Sequence, residues 1–131
     1  MSNGPYRILV VDDHPDIAES LARVLRDLGH DAEFLTEPQQ ALAAAKRMHP
    51  DLVFLDIGMP VLDGYELARL LRQEFGFESL RLVAITAWGR GEDRAATRRA
   101  GFDAHVTKPA DIDVIQSIMD TMFAPAAPAR G

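Results

Sequence analysis

Short apolar runs recur along the chain and alternate with stretches whose apolar residues are three or four positions apart. The runs predict buried β-strands at Ile8–Val11, Ala32–Leu35, Leu52–Leu55, Arg81–Ile85 and Ala104–Val106. The stretches between them predict helices at Asp16–Leu28, after Pro38 to near Met48, at Tyr65–Phe75, from about Glu92 to Ala100, and at Asp111–Met122. Right-handed crossovers would place helices on both faces, so we expect an α/β fold with a doubly wound, five-stranded parallel sheet flanked by five helices.

The apolar stripe of each helix predicts which side chains face the core. For the first, third and last helices these are Ile17, Leu21, Val24, Leu25 and Leu28; Leu67, Leu70 and Leu71; and Ile112, Ile115, Ile118, Met119 and Met122. Pro15 stands near the start of the first helix and Gly29 follows it as a C-terminal cap.

Composition narrows the class of protein. The 131 residues fit one domain, and we expect it to span residues 6–123, followed by a flexible tail or the start of a linker at 124–131. A net charge of −6 argues against direct nucleic-acid binding, and the absence of cysteine excludes disulfides and thiolate zinc sites. Without a membrane-length apolar stretch or a signal-peptide pattern, we expect a cytoplasmic protein that does not contact the membrane.

Polar residues follow four of the predicted strands: Asp12-Asp13, Asp56, Thr86 and Lys108-Pro109. The carboxyl ends of parallel strands meet at one edge of a sheet, which would gather three carboxylates, a hydroxyl and an ammonium in one crevice. Such a set suits a divalent cation beside a phosphoryl group, and Mg²⁺ prefers oxygen ligands of this kind. Gly58 would let the backbone approach closely enough for its carbonyl to join the metal shell.

Each of these residues also has an ordinary structural interpretation. Asp12 or Asp13 could cap the following helix, and Asp56 could simply form a turn rather than act as a ligand or a nucleophile. Thr86 could be a β-branched strand residue, and Lys108 could be a solvated surface cation.

In combination, these motifs resemble the receiver (phosphoacceptor) domain of two-component response regulators over about residues 6–123. The matching stretches are Ile8–Asp13, Leu55–Pro60 with Asp63-Gly64, Ile85–Ala87 and Val106–Pro109. The resemblance implies a flavodoxin-like strand order, 2-1-3-4-5, and a set of functional residues. Asp56 would accept a phosphoryl group from a sensor histidine kinase or a histidine phosphotransfer protein. Mg²⁺ would be held by Asp12, Asp13, Asp56 and the Gly58 carbonyl, while Thr86 and Lys108, with a cis bond to Pro109, would contact the phosphoryl oxygens.

The histidines include one departure from the receiver pattern. Receivers commonly place Tyr or Phe three residues before the lysine, where this chain has His105. We interpret His105 as a half-buried, hydrogen-bonded histidine, with a pH sensor as the alternative. We expect His14 and His49 to be surface loop residues, and neither has metal-ligand spacing with another histidine.

The resemblance predicts a phosphorylation-controlled switch with no separate substrate turnover, whose output passes through contacts with an unknown downstream protein. A receiver taken from a hybrid histidine kinase is the alternative. A phosphatase of the haloacid-dehalogenase type would need a second aspartate two residues after Asp56, where the chain has Gly58. A flavin binder would need a phosphate-binding loop after the first strand, but Asp12–Asp16 is acidic.

Overall fold

The computed structural model describes residues 5–57, 64–86, 98–107 and 111–123, with only the backbone of residues 77 and 78. The elements in chain order are β1 (Arg7–Val11), α1 (Pro15–Asp27), β2 (Asp31–Leu35), a short 3₁₀ helix (Pro38–Gln40), α2 (Ala41–Met48), β3 (Leu52–Asp56), α3 (Gly64–Ser79), β4 (Arg81–Thr86), α4 (described at residues 98–100), β5 (Ala104–Thr107) and α5 (Ile112–Met122). The first residues of the helix predicted from Glu92 and the predicted tail at 124–131 lie outside the described residues.

The five strands form one parallel sheet in the order β2-β1-β3-β4-β5, which confirms the predicted topology. Pairing keeps the strand ends in step: Val11 lies beside Leu35 and Leu55, and Asp56 lies beside Ile85. The carboxyl ends of the strands therefore share one edge of the sheet.

Alternate residues of the strands enter two apolar clusters, one on each face of the sheet. Leu9, Val53 and Leu82 pack with α2 and α3. Their chain neighbours Ile8, Leu52 and Val83 pack with α1 and α5. Because helices cover both faces, the strands are continuous apolar runs, which is the pattern from which they were predicted. Among the described helices, none is long and apolar enough to cross a membrane.

Three residues predicted to face the core are exposed: Ile17 (39%), Leu70 (39%) and Ile112 (42%). In α1 the buried stripe includes Ala18 and Ala22, and in α3 it includes Ala68. Because alanine side chains are small, they allow a helix to pack closely on the sheet. The buried face of each helix therefore includes the alanines, and Ile17 and Leu70 lie beside it, exposed to solvent. Ile112 is the first residue of α5 and has helical neighbours on one side only. The other predicted core residues of these helices are buried or half-buried.

The ends of the first two helices follow local conformational rules. Pro15 occupies the first turn of α1, and Gly29 just beyond its end adopts a φ of +99° and donates from its N–H to the Arg26 carbonyl at 2.9 Å. These positions confirm the predicted start and cap. His49 ends α2 with a φ of +49°, in the left-handed region.

A cluster of aromatic side chains packs at the amino edge of the sheet. The Tyr6 ring stacks on Phe123 with 3.9 Å between centroids and on His30 with 5.5 Å. The Tyr6 backbone N–H donates to Nδ1 of His30 at 3.2 Å, so this nitrogen must be unprotonated. Burial lowers the pKa of His30 below its ordinary value of 6.5.

The protonation of His30 should therefore make stability depend on pH. Because its pKa is lowered by folding, the unfolded chain takes up the proton first, and the stabilisation present above pH 6.5 is lost as the pH falls below that value. We expect wild-type protein to lose more stability than His30→Asn between about pH 7.5 and about pH 5.5, as measured by urea unfolding. Asparagine keeps an acceptor for Tyr6 but does not titrate. Exposed His49, changed to Asn, serves as the control, and equal losses in wild type and His30→Asn would refute the prediction.

Arg72 of α3 binds the end of its own helix and the segments that lead into β4 and β5 at the same edge. Its side chain is only 7% exposed, and it donates to the carbonyls of Gly76 (2.8 Å), Leu80 and Gly101 (2.8 Å). It also donates to Asp103 Oδ2 at 2.7 Å, so one guanidinium fixes the C-terminal end of α3 and the segment that leads into β5. Burial lowers the pKa of Arg72, while the Asp103 carboxylate raises it.

Candidate functional site

Acidic side chains converge at the carboxyl edge of the sheet. Asp12 follows β1 and is fully buried, its backbone N–H donating to the Leu35 carbonyl at 3.1 Å, and Asp56 ends β3 at 4% exposure. Asp13 is half-buried beside them. One ligand atom from each of Asp12, Asp13, His14 and Asp56 lies within 4.8 Å of all the others. The structure thus brings together the three carboxylates that the sequence placed at one edge.

His14 is an exposed loop residue, as predicted, and it also lies against these carboxylates. Its ring is 62% exposed, yet Nδ1 is 3.1 Å from Asp12 Oδ1 and 3.3 Å from Asp13 Oδ1. The His14 backbone N–H also donates to Asp12 Oδ1 at 3.0 Å. In the sequence, the contact of His14 with the carboxylates is indicated only by its position directly after two acidic residues that follow a buried strand.

The donor set fits a small divalent cation. Asp13 Oδ1 is buried, and although His14 Nδ1 lies 3.3 Å away, no described group donates a hydrogen bond to it. Three carboxylates in one cluster also repel each other without a counter-charge. An octahedral ion with bonds of about 2.1 Å holds opposite ligands about 4.2 Å apart. The donor atoms, which lie within 4.8 Å of one another, would need to move only slightly closer together to bind such an ion. Mg²⁺ keeps several waters, and a few carboxylates are enough to bind it.

Thr86 and the start of α3 lie beside Asp56. Thr86 ends β4 at 5% exposure, and β4 is bonded to β3 there, with the Ile57 N–H donating to the Ile85 carbonyl at 3.1 Å. Gly64 begins α3 so close that an added Cβ would lie 2.6 Å from Ile57 Cα and 2.9 Å from the Asp56 carbonyl. Only glycine therefore permits this approach of α3 to the end of β3.

The remaining residues singled out in the sequence are three that the structure does not describe and His105. Gly58, Lys108 and Pro109 lie outside the described residues, so their predicted roles stay predictions. His105 is half-buried in β5, where it pairs with Ala84.

Comparisons with known proteins agree with this geometry. The chain matches the model of the response regulator receiver domain family over residues 8–120. Response regulator Rre1 of Synechocystis sp. is 35% identical over 121 residues, which are 92% of this chain and 52% of that protein. Sensor histidine kinase RcsC of Escherichia coli is 34% identical over 122 residues, 93% of this chain but only 12% of that protein.

A solved structure shows the same fold. Chemotaxis protein CheY4 of Vibrio cholerae superposes with a TM-score of 0.84 at 22% identity, covering 90% of this chain and 98% of that one. The likeness in fold extends over nearly the whole chain.

Proposed function

Because this chain belongs to the response regulator receiver family, we propose that it is a phosphorylation-dependent signalling switch that accepts a phosphoryl group on Asp56. The observation that carries this proposal is the convergence of Asp12, Asp13 and Asp56 at the carboxyl edge of the sheet. Of the three, Asp56 ends the central strand β3, next to the buried Thr86 at the end of β4. The receiver unit in this proposal comprises residues 6–123.

In the transfer step, an Asp56 carboxylate oxygen attacks the phosphorus of a phosphohistidine on a partner protein. The new O–P bond forms as the P–N bond breaks, and the partner imidazole leaves. Asp12, Asp13, Asp56 and the Gly58 carbonyl would hold Mg²⁺, which when bound would neutralise the phosphoryl charge. Thr86 donates to a phosphoryl oxygen, and the Lys108 ammonium pairs with another.

The phosphoryl donor is a sensor histidine kinase or a histidine phosphotransfer protein, and the output passes through contact with a downstream protein. We place the switch in the cytoplasm, with no direct contact with nucleic acid or membrane and no turnover of a separate substrate. The match to a short part of RcsC keeps a receiver from a hybrid histidine kinase as the second candidate. Both candidates use the same phosphoacceptor site.

Acetyl phosphate provides a direct test of phosphoryl acceptance. After incubation with Mg²⁺ and acetyl phosphate, we expect intact mass spectrometry to show a single phosphoryl adduct on the wild-type protein. Without the cation the carboxylates repel the incoming phosphate, so no adduct should form when EDTA is present during the incubation. Equal labelling in EDTA, or no labelling with Mg²⁺, would refute the proposed function.

A further inference from the structure

The His14 imidazole meets the geometric requirements of a metal ligand. Two ligands at adjacent corners of an octahedral ion with bonds of about 2.1 Å are about 3.0 Å apart. His14 Nδ1 is 3.1 Å and 3.3 Å from oxygens of Asp12 and Asp13, and all four candidate donor atoms, including one of Asp56, lie within 4.8 Å. One nitrogen thus lies at ligand spacing from two carboxylates of the cluster.

Resting on the proposed function, we infer that His14 Nδ1 is a ligand of the ion held by Asp12, Asp13 and Asp56, and that it gives the site a preference for divalent transition metals over Mg²⁺. Carboxylates and water suit Mg²⁺, whereas an imidazole nitrogen adds affinity for first-row transition ions, most of all towards the end of the row. His14 then partly determines which divalent ion the site binds.

The local structure permits this coordination. His14 occupies the N-cap position of α1 with an extended backbone, and its side chain makes no capping hydrogen bond. Nδ1 is instead directed at Asp12 Oδ1, with which it is at hydrogen-bond distance, 3.1 Å. The ring is 62% exposed, and a neutral imidazole that offers Nδ1 to a metal can keep its proton on a hydrated Nε2. Its backbone N–H holds Asp12 Oδ1 at 3.0 Å, which fixes the two residues relative to each other.

The same distances would also fit a histidine that only pairs with the carboxylates. In that arrangement the ring competes with every cation, and removing it changes the affinity for all divalent ions by a similar factor. A ligand nitrogen acts differently, because its loss affects the transition metals more than Mg²⁺. The ratio of two metal affinities therefore separates these roles.

The test is calorimetric titration of the untagged protein with Ni²⁺ and with Mg²⁺, in wild type and in His14→Ser. Both ions favour octahedral geometry, so the comparison isolates the type of ligand. Serine is a preferred N-cap residue and should preserve or strengthen α1. His49→Asn, which removes an exposed imidazole distant from the acidic cluster in sequence, controls for adventitious Ni²⁺ binding.

We expect the ratio of Ni²⁺ to Mg²⁺ affinity to fall about tenfold or more in His14→Ser and to stay at the wild-type value in His49→Asn. A ratio in His14→Ser within about threefold of wild type would overturn the assignment of His14 as a ligand. The proposed function is judged separately, on phosphoryl labelling of the wild-type protein with Mg²⁺. Labelling together with an unchanged ratio would reject only the role of His14.

Discussion

The substitution Asp56→Asn is expected to remove the phosphoryl adduct, lowering the rate of labelling by acetyl phosphate by about 10² or more. A carboxylate is the nucleophile in this step, and the amide that replaces it has almost the same shape but is a poor nucleophile. The side chain is 4% exposed and adjoins fully buried Asp12, so the variant also loses one of three clustered negative charges. In Mg²⁺-free buffer its melting temperature should therefore not fall below that of wild type.

Labelling is followed by intact mass and the modified residue is identified by peptide mapping. Asp120→Asn, at an exposed position of α5, is the matched control and should label at the wild-type rate. An adduct that forms in Asp56→Asn at the wild-type rate would move the acceptor to another residue, and Asp13, a half-buried carboxylate of the same cluster, would be the first candidate.

The fold and the acidic part of the site were predictable because each depends on a simple rule. Buried parallel strands are continuous apolar runs, and polar residues at their carboxyl ends must meet at one edge. That rule places Asp12, Asp56 and Thr86 together without any knowledge of side-chain contacts. Strand order is not fixed by the apolar runs alone, and the prediction of 2-1-3-4-5 came from the resemblance to receivers.

What the sequence could not predict depends on contacts between distant segments or on fine differences in packing. Ala18 and Ala68 are buried in their helices, while Ile17 and Leu70 are exposed. A hydrophobicity scale would rank the two larger residues as better core candidates. His14 was correctly predicted to be a surface loop residue, but the sequence does not show that its Nδ1 lies 3.1 Å from Asp12 Oδ1, the contact on which its function in our proposal depends.

Arg72 is the clearest case of a residue whose importance appears only in three dimensions. In the sequence it is one of several charged residues of a helix, but its partners lie four, eight, 29 and 31 positions further along the chain. The Asp103 oxygen that it binds also accepts from the Leu82 N–H at 2.9 Å. A Cβ on Gly101, which has a φ of +106°, would lie 2.8 Å from Arg72 Cγ, so the backbone there is shaped around the arginine.

We expect Arg72→Ala to lower the free energy of unfolding by about 3 kcal/mol, because three carbonyls lose a charged donor and Asp103 loses its partner. This lies at the low end for a broken buried pair, since the Asp103 side chain is 28% exposed and water can hydrate it. For a domain of this size the melting temperature should fall by roughly 10 °C. Thermal and urea unfolding followed by circular dichroism measure both quantities.

Two further variants of α3 decide whether the hydrogen-bonding geometry, rather than the charge, is responsible. Arg72→Lys keeps the charge but cannot supply the planar set of donors that reaches Gly76, Gly101 and Asp103, so it should recover less than half of the lost stability. Arg69→Ala removes an exposed arginine from the same helix and should change stability by less than about 0.5 kcal/mol. If lysine at position 72 restored full stability, the charge alone would account for the effect. If Arg72→Ala were as stable as Arg69→Ala, the guanidinium would not hold these segments together.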